Sequence, residues 1–146
     1  MPLYFAYGSN MDRAAMALRC PRSRPLGPAR LMRHRFAIMA EGYATVLRDP
    51  GATVHGVLHD LALADVAGLD RYEAVGRGLY RKVIYSVIRA AGRPVRALVY
   101  VGNGAGGGHP LPGYIEGVIA AARDWGLPGA YVAELARAGG SDGQRG

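Results

Sequence analysis

Apolar residues in this chain come in short runs that stop at glycine, proline or asparagine, and the first run is the most informative. Tyr4-Phe5-Ala6-Tyr7 ends abruptly at Gly8-Ser9-Asn10, and a helical pattern starts at Met11. Met11, Ala14, Ala15 and Leu18 fall at i, i+3, i+4 and i+7, which predicts one face of an amphipathic helix. Ser9 or Asn10 is placed to cap it, with Asp12 in its first turn. A buried strand that feeds a helix start through a glycine gathers backbone N–H groups and small polar side chains at one point. That arrangement suits a carboxylate or an oxyanion. An ordinary strand-turn-helix satisfies the same pattern.

The rest of the chain alternates between the two periods. Pro21 to Pro28 reads as a loop, and Ala29 to Met39 as a strand. Glu41-Gly42-Tyr43 turns the chain into a short strand from Ala44 to Arg48. Asp49-Pro50-Gly51 predicts a second turn, and Thr53 to Leu61 a further strand with Gly56 inside it, so the three strands form a meander. Leu63 to Ala74 is helical, with Val66, Leu69 and Glu73 on an inward face and Asp65 and Arg71 outward. Strands follow at Leu79 to Ala90 and Val95 to Val101, separated by Ala91-Gly92-Arg93-Pro94. The glycine-rich segment 102–108 lacks the spacing of a phosphate-binding loop and reads as a mobile loop, with closure over a substrate left open. Leu111 to Trp125 is a helix with Ile115, Val118, Ile119 and Ala122 on one face. Gly126 ends it, and Pro128 opens a last short helix marked by Tyr131, Leu135 and Ala138. This order predicts an α+β fold with a mixed or largely antiparallel sheet. Residues 1–138 form a single domain in this reading, and 139–146 a disordered tail.

Composition narrows the classes. No apolar run approaches a membrane span and no leader pattern is evident, which predicts a cytoplasmic protein with no membrane partner. Cys20 is alone, so neither an internal disulfide nor a cysteine zinc cluster is expected. The net charge of +7 raises nucleic-acid binding, but 17 arginines are scattered against one lysine and no aromatic-interleaved motif accompanies them. No nucleic-acid partner is therefore expected.

The chemistry-bearing positions are few. Glu73 projects a carboxylate toward the core beside the Gly76-Arg77-Gly78 break. It either pairs with Arg77 or Arg81 or sits in a cleft, where desolvation would raise its pKa and make it a proton acceptor. Tyr80 opens the next strand with a hydroxyl suited to a ligand. The four histidines are dispersed. His55 and His59 lie four apart in a strand, a spacing that does not make a helical metal pair, so no metal site is expected.

Several of these segments together resemble a known family. Tyr7-Gly8-Ser9-Asn10 after a strand, Leu69-Asp70-Arg71-Tyr72-Glu73-Ala74-Val75 with Gly78-Leu79-Tyr80-Arg81, and Pro110-Leu111-Pro112-Gly113-Tyr114-Ile115 with Gly126-Leu127-Pro128 are similar to motifs of the γ-glutamylcyclotransferase-like (AIG2-like) superfamily. Gly42-Tyr43-Ala44-Thr45, Asp49-Pro50-Gly51 and His55-Gly56-Val57-Leu58 fit its middle strands. The resemblance runs to about residue 138, and the motifs occur in family order.

The resemblance implies a small mixed β-barrel flanked by helices, and an enzyme that cyclises a γ-glutamyl group to 5-oxoproline with release of an amine. It implies that Tyr7, Gly8, Ser9, Asn10 and Met11 hold the glutamyl moiety, that Glu73 is the general base, and that Tyr80 and Tyr114 line the pocket. The Gly-Ser-Asn loop favours γ-glutamyl amino acids over the glutathione-specific and γ-glutamylamine-specific branches. No cofactor is implied; the partner is a small γ-glutamyl substrate, and a homodimer stays open. A non-catalytic module of the same fold that binds a small carboxylate is the alternative. The chemistry matches a chain without a nucleophile triad, because the substrate's own amine attacks its γ-carbonyl. Glu73 would remove the amine's proton, worth ~10²–10⁴-fold. Backbone N–H groups from Gly8 to Met11 would stabilise the oxyanion, each worth roughly 10²–10³-fold.

Overall fold

In the computed structural model, which describes residues 2–141, five strands close into a barrel. They are β1 (Leu3–Ala6), β2 (Arg24–Ile38), β3 (Ala44–Asp60), β4 (Tyr80–Arg89) and β5 (Pro94–Gly102), in spatial order β1-β3-β2-β4-β5. The β1–β5 pair is parallel and the other pairs are antiparallel, so the sheet is mixed as expected. The helices are α1 (Arg13–Arg19), α2 (Leu63–Tyr72), α3 (Tyr114–Asp124) and α4 (Gly129–Ala136). Phe5, Val54, Val57, Leu58, Val87 and Val99 are fully buried in the core. The predicted face of α3 packs onto it through Ile115, Val118 and Ala122, and α4 adds Tyr131 and Leu135.

Two predicted breaks are absorbed into longer strands. β2 begins at Arg24, inside the expected loop, because Pro25 and Gly27 sit at a register shift where the missing proline N–H costs little. Asp49-Pro50-Gly51 does not separate two strands. Between the pairs Met32↔Thr53 and His34↔Arg48 the chain bulges, and β3 runs on. The expected three-stranded meander is therefore one long hairpin. Its turn is the predicted one, with Gly42 at φ 92 and its N–H bonded to the Met39 carbonyl at 2.8 Å.

The first helix also differs. Ser9–Met11 form a separate 3-10 turn, and Asp12 at ψ 123 resets the helical phase. Asp12, not Ser9 or Asn10, caps α1 by accepting the Ala15 N–H at 2.9 Å. Met16 and Cys20 consequently face the core, while Leu18, expected inside, is 86% exposed. Asp65, expected outside, is buried because it accepts hydrogen bonds from the Arg22 N–H at 3.0 Å and the Ser23 hydroxyl at 2.7 Å. It ties α2 to the loop after α1.

The glycine-rich segment lies against the hairpin end rather than over a cleft. A Cβ at Gly108 would fall 2.0 Å from the Met39 carbonyl oxygen, and one at Gly106 would fall 2.9 Å from Leu47. These glycines serve close backbone approach. Of the tail expected over 139–146, residues up to Ser141 belong to a π-helical turn, Arg137–Ser141, and 142–146 lie outside the described residues.

Candidate active site

A cleft of about 160 Å³ opens at the barrel rim where β1 and β5 end and β3 and β4 begin. Seven of the chain's nine tyrosines border it, and the charged side chains that line it are Glu73 and Arg77. The Tyr7-Gly8-Ser9-Asn10 segment forms one wall and the chain after α2 forms the other.

β1 delivers the first wall. Tyr7 is buried, and its hydroxyl donates to the Tyr100 carbonyl, which ties the end of β1 to β5. Met11 N–H and Asp12 N–H close the 3-10 turn on Gly8 and Ser9 carbonyls, each at 3.1 Å. The N–H groups of Gly8, Ser9 and Asn10 make no hydrogen bond among the described residues. They are the unspent donors of this wall. Met11, expected in the binding loop, does not line the cleft. It is fully buried, and its carbonyl accepts the Trp125 indole N–H at 2.7 Å.

The second wall rests on how α2 ends. Glu73 caps α2 at φ −80, ψ 1, and its N–H still reaches the Leu69 carbonyl at 2.9 Å. The helix stops one residue short of Glu73, rather than running through Ala74. Ala74 then takes the left-handed conformation at φ 53, a strained choice for a residue with a Cβ, and reverses the chain at the cleft wall.

Glu73 is partly buried, and burial pushes its carboxyl up to about 7, against an opposing pull from the Arg19 guanidinium. Among the described residues its one hydrogen-bond contact is the Asn10 side-chain amide at 3.5 Å, the outer limit of such a bond. Neither Arg77 nor Arg81 forms an ion pair with it among the described residues. Arg81 bonds the Asn103 side-chain oxygen at 3.0 Å instead. A carboxylate this weakly partnered retains lone pairs for a proton.

The tyrosines divide by task. Tyr80 donates to the Ala44 carbonyl, while Tyr114 accepts the Ala44 N–H at 3.2 Å, so two phenols pin the start of β3 from β4 and α3. Burial holds the hydroxyls of Tyr4, Tyr7, Tyr80 and Tyr114 above their ordinary pKa, so all four are protonated well beyond physiological pH. Gly8 fits this packing, because a Cβ there would lie 3.1 Å from the Tyr114 oxygen.

Glu73, Tyr7, Gly8, Ser9, Asn10, Tyr80 and Tyr114 thus meet at one cleft. Sequence reasoning missed Tyr4, Tyr43, Tyr72, Tyr100 and Arg77 as wall residues. Tyr72 and Arg77 lie close to Glu73 in the chain, but nothing in the spacing of Tyr4 or Tyr100 separates them from core aromatics. Ser9 has no base beside it; its hydroxyl and the Tyr72 hydroxyl lie 2.9 Å apart. Chemically, the cleft offers a proton acceptor titrating near neutrality beside the unspent backbone N–H groups of Gly8, Ser9 and Asn10.

Comparison with known proteins points one way. The family model described as gamma-glutamyl cyclotransferase, AIG2-like, matches residues 4–125. The mouse (Mus musculus) gamma-glutamylcyclotransferase is 29% identical over 143 residues, covering 91% of this chain and 76% of the relative. The human (Homo sapiens) gamma-glutamylcyclotransferase is 28% identical with the same coverage. A solved structure described as gamma-glutamyl cyclotransferase superposes with a TM-score of 0.86 at 27% identity, covering 92% of this chain and 85% of that one.

Proposed function

Because this chain belongs to the gamma-glutamyl cyclotransferase, AIG2-like family, we propose that it is a cyclotransferase that converts the γ-glutamyl group of a γ-glutamyl amino acid or amide to 5-oxoproline and releases the amine. The observation that carries this reading is Glu73, a weakly partnered carboxyl raised to about 7 in the cleft that also holds the free N–H groups of Gly8, Ser9 and Asn10.

The steps follow from those groups. The substrate's α-ammonium gives a proton to Glu73 and becomes a nucleophile already tethered to its target. Its nitrogen attacks the γ-carbonyl carbon, and the new N–C bond closes the five-membered ring. The carbonyl oxygen takes the electron pair, and backbone N–H donors stabilise that oxyanion, each worth roughly 3–4 kcal/mol. On collapse the C–N bond to the leaving group breaks as that nitrogen takes the proton held by Glu73. The ring nitrogen, which entered the adduct as NH₂⁺, gives its second proton to the freed Glu73 carboxylate, from which it passes to the released amine. The tether is the substrate's own, so the cleft adds only the conformational part of the orientation effect, by holding the amine bent against the carbonyl. Arg77 adds a positive charge at the cleft for a substrate carboxylate. As it is exposed, we assign it only about 1 kcal/mol.

The test is a product assay with a panel of γ-glutamyl dipeptides and γ-glutamyl amides. We expect 5-oxoproline and free amine in equal amounts from at least one. Saturable binding with no turnover across the panel would support the binding-module alternative instead. The pH profile follows from Glu73. As an acceptor it must be ionised, so kcat/KM should rise roughly tenfold per pH unit up to about 7 and level off above it. A profile flat between pH 5 and 8 would contradict that assignment.

Gly8 gives a second check. In Gly8→Ala the new methyl presses on the Tyr114 oxygen, and the few tenths of an ångström it must yield should lower kcat/KM roughly tenfold. Adding Tyr114→Phe removes the crowded oxygen, so the double variant should lose no more than Tyr114→Phe alone. Multiplicative losses in steady-state kinetics would show that the two residues act independently.

A further inference from the structure

Arg19 is the last residue of α1 and does not line the cleft, yet two contacts tie it to the cleft's walls. Its Nη1 donates to the Asn10 side-chain oxygen, and its guanidinium lies 3.7 Å from the centre of the Tyr72 ring. Tyr72 in turn shares the 2.9 Å hydrogen bond with Ser9. No carboxylate pairs with Arg19 among the described residues. Its charge is therefore not neutralised by a direct ion pair.

Asn10 is the hinge of this arrangement. It is 2% exposed, and an amide has one acceptor end and one donor end. With the oxygen held by Arg19, the NH₂ end is directed to the Tyr4 hydroxyl at 3.0 Å and toward Glu73 at 3.5 Å. The opposite orientation would set the amide oxygen against the Glu73 carboxylate and the NH₂ against a guanidinium, two repulsive contacts.

We propose that Arg19 is a positioning residue that fixes the Asn10 amide with its donor end toward Glu73, stacks against the Tyr72 wall, and sets its guanidinium behind the Asn10 hinge. The other ionisable groups around Glu73 are uncharged at neutral pH or more exposed. Tyr4, Tyr7, Tyr80, Tyr100 and Tyr114, from β1, the loop after it, β4, β5 and α3, are buried phenols whose own ionisation burial and the Glu73 carboxylate oppose, so they bring no charge to it. Arg77 is exposed to screening by solvent. Burial alone would leave the carboxyl protonated to a higher pH, and Arg19 opposes that. The role of Arg19 in turnover rests on the cyclotransferase reading; its effect on Glu73 does not.

The experiment compares the wild type with Arg19→Met and Arg19→Lys. Methionine retains a flexible apolar stem against Tyr72 but removes charge and donors; lysine restores the charge without the planar stack. The Glu73 carboxyl is followed by isotope-edited NMR titration, and turnover by 5-oxoproline release across pH. In Arg19→Met we expect the Glu73 midpoint and the acid limb of kcat/KM to move up together by about one pH unit. We also expect kcat/KM at the plateau to fall roughly 10–100-fold. Arg19→Lys should bring the midpoint back near the wild-type value while recovering only part of the plateau. A folded Arg19→Met protein with an unmoved Glu73 midpoint overturns the proposal. So does an equal shift in Arg19→Met and Arg19→Lys, which would mark a purely structural role. Should the wild type release no 5-oxoproline, the cyclotransferase reading fails, and the NMR titration still decides the assignment of Arg19.

Discussion

Glu73→Gln is expected to reduce 5-oxoproline release from a γ-glutamyl dipeptide by at least about 10³-fold while the protein folds normally. A general base contributes ~10²–10⁴-fold, and here the proton to be removed belongs to an ammonium, which cannot attack at all until it is lost. Glutamine matches glutamate in size, and its oxygen can still receive the Asn10 amide, so the cleft should retain its shape. Stability gives an independent readout with a fixed sign. The folded protein holds the Glu73 proton up to about pH 7, whereas an unfolded glutamate releases it near 4.5. Within that window the unfolded chain binds fewer protons, so wild-type stability falls as pH rises. Glu73→Gln escapes this loss. It should be the more stable protein at neutral pH by roughly 1–3 kcal/mol, after allowing for partial exposure, and should show no such advantage below about pH 4. Denaturant melts at pH 4 and pH 7.5 measure the difference. Turnover within tenfold of wild type would remove Glu73 from the role of base.

Gly56→Ala is expected to be the most damaging single methyl in the barrel. A Cβ at this position would lie 2.4 Å from the Ala6 carbonyl oxygen and 2.8 Å from the Phe5 ring. The first neighbour is backbone of β1, which cannot swing aside as a side chain does. Room can be made only by moving β1 off β3, and β1 carries Tyr7, Gly8, Ser9 and Asn10 directly after it. We expect a loss of about 3 kcal/mol or more, seen as a drop in Tm of about 10 °C, at an unchanged denaturant m-value. kcat/KM should fall about 100-fold in the fraction that remains folded, because the N–H donors shift with the strand. Gly102 is the instructive contrast. Its virtual Cβ is closer still, 2.2 Å from the Met39 sulfur, but an unbranched thioether can change rotamer, so Gly102→Ala should cost less. If Gly56→Ala melts within 1 kcal/mol of wild type, β1 is not pinned where the cleft requires it.

Much of this architecture was legible along the chain, for local reasons. The β1 run, the α3 face, the β4–β5 hairpin and the Glu41-Gly42-Tyr43 turn each rest on a periodicity or a turn residue whose effect is complete within a few neighbours. The misreadings share one cause. Asp49-Pro50-Gly51 and Pro25 carry breaking tendencies that a long hairpin absorbs as bulges, because the strand on either side gains more from pairing than the bulge costs. Asp65 was assigned to the surface because its partners, the Arg22 N–H and the Ser23 hydroxyl, lie more than forty residues earlier. Leu18 was assigned to the core because the interruption at Asp12 is invisible in a count of hydrophobic spacing.

The opening segment shows where the boundary lies. Sequence alone determined that Tyr7-Gly8-Ser9-Asn10 ends a buried strand in a glycine-containing turn and that Glu73 closes an amphipathic helix, because strand and helix periods and motif order are written in neighbouring residues. Only the closed barrel decided that the two meet. Bringing together positions more than sixty residues apart depends on the register of β1 against β3 and on the left-handed turn at Ala74. The same closure dehydrates Glu73, leaves the Gly8, Ser9 and Asn10 donors unspent, and sets Arg19 behind Asn10. Desolvation and orientation are properties of enclosure, and no run of adjacent residues encloses anything by itself.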